Sequence, residues 1–90
     1  MNINTNIPTK KKRVLIALTE RSYNRFEAER LLSDHCLHST VSTIQNQHGI
    51  EVQRKFESVP GYRGIKTQVC RYWIDPENVE HALKTAKFWN

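Results

Sequence analysis

Between Leu37 and Gly49 the chain declares a helix and then abandons it. Leu37, Val41, Ile44 and His48 recur at steps of four, three and four residues, the spacing that places side chains on one helical face. Gly49 follows as the residue that most easily adopts the left-handed backbone at a helix C-terminus. From there the period falls to two. Ile50, Val52 and Phe56 share a parity to about Ser58, with Arg54 intruding, which reads as a half-buried strand. A second run from about Lys66 to Ile74 sets Cys70, Tyr72 and Ile74 on one side and Val69, Arg71 and Trp73 on the other. Val59-Pro60-Gly61-Tyr62-Arg63-Gly64, between the runs, has turn chemistry with an aromatic and an arginine at its tip. A helix that passes directly into a hairpin makes α+β the expected fold class.

Ninety residues allow one domain with one modest core, because a chain of this size buries only about 60–65% of its unfolded surface on folding. At 38% hydrophobic and 26% charged, with three Gly and three Pro, the composition is globular and not that of a disordered chain. No apolar run approaches the roughly 18 residues a membrane span needs, and Met1 to Thr9 lacks the apolar centre of a secretory signal. A soluble cytoplasmic protein without membrane attachment is expected. Its cysteines, Cys36 and Cys70, should be reduced and lie in the core or at its boundary. Asn- and Thr-rich residues 1–8 read as a flexible N-terminal tail, and residues 9–90 as the domain.

Upstream of the central helix the sequence signals two more. Thr9 can cap a first helix running to about Glu20 or Arg21, with Val14, Leu15, Ala17 and Leu18 on its apolar side. Asn24 with Glu27 three residues on forms a capping-box pattern opening a second helix, Arg25 to Leu32, with Phe26, Ala28, Leu31 and Leu32 as its buried set. Ser33-Asp34 interrupts, and Asp34 is a candidate cap for a third helix opening near His35 or Cys36. After the hairpin, Asp75-Pro76 marks a fourth helix start. Val79, Ala82, Leu83 and Ala86 continue it to about Lys87. Phe88 and Trp89 either close the core or form an exposed terminal patch.

The net charge of +5 is unevenly placed. Lys10, Lys11, Lys12 and Arg13 give the first 13 residues +4, residues 14–50 sum to −1, and residues 51–90 to +2. Glu51 to Arg71 carries five basic side chains against two acidic ones. Three lysines in a first helical turn oppose the helix dipole, which gives contact with an anion as a reason for their presence. The third helix is different again. Ser39, Ser42, Thr43, Asn46 and Gln47 lie opposite its apolar face, flanked by His38, Thr40 and Gln45, without a single Asp, Glu, Lys or Arg. Hydroxyls and amides approach phosphates and base edges closely, and Asn or Gln can pair with adenine in a bidentate way.

Other chemistry has weaker support. His35, Cys36 and His38 with His48 or Cys70 do not have the spacing of a metal signature. No nucleophile elbow, phosphate-binding glycine loop or acid pair is present. Neither an enzyme nor a bound cofactor is expected.

The runs Asn24-Arg-Phe-Glu-Ala, Asp34-His-Cys-Leu-His-Ser-Thr-Val-Ser-Thr-Ile, Gly49-Ile-Glu-Val and Val69-Cys-Arg-Tyr-Trp-Ile resemble the small winged helix-turn-helix domains of phage and mobile-element proteins, over roughly Arg13 to Asp75. The resemblance implies three helices, a two-stranded hairpin wing and a C-terminal helix. It also implies binding to double-stranded DNA, with helix 37–48 in the major groove and the 58–67 wing on the backbone. Ser39, Thr40, Ser42, Thr43, Asn46 and Gln47, with His38, would face the groove, and Arg63, Lys66 and the arm Lys10, Lys11, Lys12 and Arg13 would hold phosphates. A single module of this size favours a homodimer or cooperative assembly for regulatory use. The alternative is a protein-binding winged helix that modulates a host machine.

Overall fold

The computed structural model describes residues 9–89, except for the side chain of Tyr62. The expected tail at residues 1–8 lies outside the described residues, and so does any contact of the Tyr62 ring. In chain order the elements are α1 (Lys10–Glu20), β1 (Tyr23–Asn24), α2 (Arg25–Leu32), α3 (Leu37–His48), β2 (Gln53–Pro60), a 3-10 turn (Tyr62–Gly64), β3 (Lys66–Trp73) and α4 (Pro76–Ala86). The protein is an α+β domain in which four α-helices accompany one antiparallel sheet of order β1-β3-β2.

Helix starts follow local chemistry closely. The Lys12 N–H donates to Thr9 Oγ1 at 3.3 Å, and Asn24 and Glu27 form the reciprocal capping box, at 2.9 and 3.1 Å. Two caps differ from expectation. Helix α3 begins at Leu37, and Asp34 stands outside it, accepting from the Cys36 N–H at 3.0 Å. Asp75 makes no cap bond at α4, because its Oδ1 accepts from Trp73 Nε1 at 3.0 Å. Pro76 alone marks that start, at a position where a missing N–H costs nothing.

The core gathers Val14, Leu15 and Leu18 of α1, Leu37, Val41 and Ile44 of α3, Ile50 and Val52 before β2, and Tyr23, Tyr72 and Ile74 at the root of the sheet. Burying each such aliphatic side chain contributes roughly 1.5–3 kcal/mol. Helix α1 lies against α4 and α3, and the Ile74 N–H donates to the Leu18 carbonyl at 3.0 Å, tying the end of β3 to α1. Helix α2 buries only Ala28; Leu31 and Phe26 are exposed and Leu32 is half-buried, so most of its expected apolar set lies at the edge. In α4, Ala82 and Ala86 are buried while Leu83 is exposed. The small side chains let α4 approach α1.

The sheet is longer than the helices that cover it. Register pairs Tyr23 with Tyr72 at the root, and Gln53 with Trp73 through to Pro60 with Lys66 along the hairpin. Tyr72 is buried at the root on the helix-facing side, whereas Phe56, further out on the same side, is 66% exposed. The parity that predicts a buried Phe56 is right about its face and wrong about its environment, because the hairpin outruns the core. The opposite side carries Asn24, Glu57 and Arg71, joined by hydrogen bonds of 2.8 and 2.9 Å.

Candidate nucleic-acid interface

Helix α3 divides its length between packing and display. Leu37, Val41 and Ile44 are buried, while His38, Ser39, Ser42, Asn46 and Gln47 are exposed and Thr43 is half-buried. The displayed row is organised internally: Asn46 Nδ2 donates to Ser42 Oγ at 3.2 Å, and Ser39 Oγ lies 3.5 Å from His38 Nε2. Such pairs hold short polar side chains along the surface while leaving further donors and acceptors open.

Thr40 does not belong to that row. It is buried, and its hydroxyl donates to Asp34 Oδ2 at 2.8 Å. Asp34 is itself fully buried, with Lys10 Nζ 3.5 Å from Oδ1. A buried carboxylate is tolerated where hydrogen bonds and a cation compensate its lost hydration. Gln45 is also committed, its Oε1 accepting from the Val52 N–H at 3.2 Å. That bond fixes how the chain leaves α3 for β2.

The basic arm turns inward. Besides Lys10 on Asp34, Lys12 Nζ donates to the Trp89 carbonyl at 3.0 Å, and Lys11 Nζ lies 2.8 Å from His48 Nε2 and 4.5 Å from the centre of the Trp89 ring. The His48 and Trp89 rings sit 4.3 Å apart. Since an ammonium only donates, His48 Nε2 accepts and its own proton sits on Nδ1. Trp89 is half-buried against the core and Phe88 is exposed, so the terminal pair splits between the two expected fates. Of the four basic residues, Arg13 is exposed without a described ion pair.

At the hairpin tip the Gly61 N–H donates to the Ile65 carbonyl at 2.7 Å and the Gly64 N–H to the Gly61 carbonyl at 3.1 Å. Arg63 and Gly64 both adopt positive φ, 59° and 76°. A side chain at Gly61 would strike that of Thr67 and sit 2.8 Å from the Ile65 carbonyl. Arg63, Ile65 and Lys66 are exposed, as are Arg54 and Lys55 lower on β2.

Between the first turn of α3 and the hairpin lies a cleft of about 300 Å³, whose walls include Arg25, His35, His38, Phe56 and Gln68. Arg25, His35, Phe56 and Gln68 stand outside the residues that the sequence marks for DNA contact. The available signal was the parity of Phe56 and Gln68, which the register places on one face. Cys36 is exposed and Cys70 half-buried, both as free thiols, so Cys36 is neither core nor boundary. Among the described residues no three His, Cys, Asp or Glu side chains converge on a metal-ion position. Nor is any helix of theirs long and apolar enough to cross a membrane. Compared with known proteins, the chain matches no family model, no curated protein and no solved structure.

Proposed function

We propose that this is a winged helix-turn-helix protein that binds double-stranded DNA, with α3 as the reading helix and the β2–β3 hairpin as the wing. The observation that carries the reading is the division of α3: one face seated in the core, the other a row of hydroxyls and amides without charge. That row suits base edges and phosphates at close range. Affinity then comes from cations beyond the helix, namely Arg63 and Lys66 at the wing, with Arg54 and Lys55 nearer its root. The order of elements supports the same reading, since a turn joins α2 to α3 and a hairpin follows α3 directly.

The lysine-rich arm has a smaller part in this scheme than its charge suggests. Lys10, Lys11 and Lys12 have protein partners, and Arg13 is the member left for a phosphate. No catalysis is assigned to the protein.

Duplex binding measured across a range of salt concentrations tests the proposal. Several phosphate contacts give a steep linear fall of log affinity with log salt. Absence of binding at low salt removes the DNA reading and leaves a protein partner for the same α3 face.

A further inference from the structure

Phe56 is a large apolar side chain whose position the core does not explain, and it is the one of the exposed apolar side chains that lines a cleft beside α3. It stands 66% exposed on a hairpin wall, and the cleft beside it opens against Arg25 at the start of α2, His35 before α3, and His38 in the first turn of α3. Gln68, beside Phe56's partner Cys70 on β3, adds an amide to the same wall. None of the residues lining the cleft is acidic.

These features select a ligand by exclusion. A cation finds no carboxylate in the cleft, and the His and Cys side chains there do not converge on a metal-ion position. A purely aliphatic ligand would leave Arg25 and Gln68 without partners as it dried the cleft. A planar ring with an attached anion satisfies all of them: the ring stacks on Phe56, the amide of Gln68 meets its polar edge, and Arg25 or His38 takes the negative group. Volume agrees, since about 300 Å³ is at the small end of ligand clefts. His35 lies 3.3 Å from the Glu29 carboxylate, which opposes an anion there, whereas His38 has a neutral hydroxyl beside Nε2, at 3.5 Å, so Arg25 and His38 are the better anion partners.

We infer that the cleft between α3 and the hairpin is a nucleotide site, taking one unstacked base against Phe56 and its phosphate against Arg25 and His38. The inference rests on the nucleic-acid reading when the nucleotide belongs to a DNA strand, and stands apart from it when the nucleotide is free. For the strand, the cleft adds a preference for an unpaired base beside the duplex that α3 and the wing hold. Stacking on an exposed aromatic ring makes that preference roughly five- to a hundredfold.

The test compares a fully paired duplex, the same duplex with one bulged adenine, and free deoxyadenosine monophosphate. The first two are followed by fluorescence anisotropy, the third by amide chemical shifts at His38, Gln68 and Cys70. Tighter binding of the bulged duplex, lost in Phe56→Ala and kept in Phe56→Tyr with paired-duplex affinity unchanged, establishes the strand-borne nucleotide. Saturable shifts with the mononucleotide but equal affinity for the two duplexes, or no duplex binding at all, establish a free-nucleotide site. Equal duplex affinities without mononucleotide shifts overturn the inference and leave the duplex reading standing. A change in the mass of the free protein with Phe56→Ala overturns it as well, since the ring would then be a contact between copies. Because Phe56 is mostly exposed, its truncation leaves the core intact, and thermal melting of each variant verifies this.

Discussion

Arg71 Nε donates to Glu57 Oε1 at 2.9 Å, a diagonal contact between β3 and β2 on the face of the sheet opposite Tyr72 and Phe56. The same guanidinium places Nη1 3.0 Å from Glu27 Oε1 and 2.9 Å from Ser22 Oγ. One side chain thus fastens the hairpin root to the start of α2. Its three partners come from three segments, which distinguishes it from an isolated surface pair of small energetic effect.

Replacing Arg71 with Met leaves two carboxylates short of their common partner. The expected loss is about 1–3 kcal/mol, read from urea denaturation. The protein should also lose stability in acid. Hydrogen bonds from Arg71 and then Asn24 lower the Glu57 pKa. Burial pushes Glu27 upward, but bonds from Arg71 and the Asn24 N–H outweigh it and leave that pKa lowered too. Carboxyls lowered in the folded state stabilise it above their unfolded value, about 4.3, and that contribution disappears as pH falls through the lower folded values. Arg71→Met should therefore flatten the loss of stability below about pH 4.3.

Thr40 and Asp34 make a second separable prediction. Thr40→Val keeps the shape and deletes the hydroxyl that donates to the buried carboxylate at 2.8 Å. A buried acceptor deprived of a donor costs about 1–3 kcal/mol, so the melting temperature should fall. If Thr40 were a groove contact, duplex affinity of the folded variant would fall as well. Unchanged affinity with lowered stability is the expected pair of results.

How much of this was legible beforehand depends on the distance over which each signal acts. Caps and periodicity are local, so the Asn24–Glu27 box, the limits of α2 and the stop of α3 at Gly49 could be read directly. Strand β1 could not, since two residues show no alternation and Asn24 already carried a helix-start signal. The intramolecular partners of the arm are hidden for the same physical reason. Lys11 meets His48 37 positions away and Lys12 meets Trp89 77 positions away, and nothing in a run of like charges announces such partners. Phe56 shows the limit of parity, which assigns a face but not how far the covering helices extend. The polar row of α3 is legible except at Thr40, whose inward partner Asp34 carries the local signature of a helix cap.

The Lys11–His48–Trp89 cluster should make the terminus sensitive to mild acid. Burial, and then the Lys11 charge, push the His48 pKa below its ordinary value. An imidazole that resists protonation in the folded state gives stability that is complete above the unfolded pKa, about 6.5. That stability diminishes as pH falls from there toward the lower folded value, because the unfolded chain binds the proton first. As pH falls below about 6.5, Trp89 fluorescence should shift as the ring contact loosens, read in a Trp73→Phe background that removes the other indole. His48→Gln should remove the pH dependence from this signal.

Asn46 and the wing cations should separate reading from holding. Asn46 projects from the exposed row of α3 with its amide nitrogen 3.2 Å from Ser42 Oγ, which orients the amide without exhausting its capacity to bond. Asn46→Ala should cost about 1–3 kcal/mol on the preferred sequence and little on unrelated duplexes, with an unchanged slope of affinity against salt. Replacing Arg63 and Lys66 together by Ala should weaken all sequences alike and reduce the salt slope by roughly two, one for each lost phosphate contact. Selection from a random duplex pool followed by salt titration measures both effects. Equal weakening of every sequence by Asn46→Ala would show that α3 supplies affinity and no base reading, leaving specificity to the wing or to the shape of the DNA.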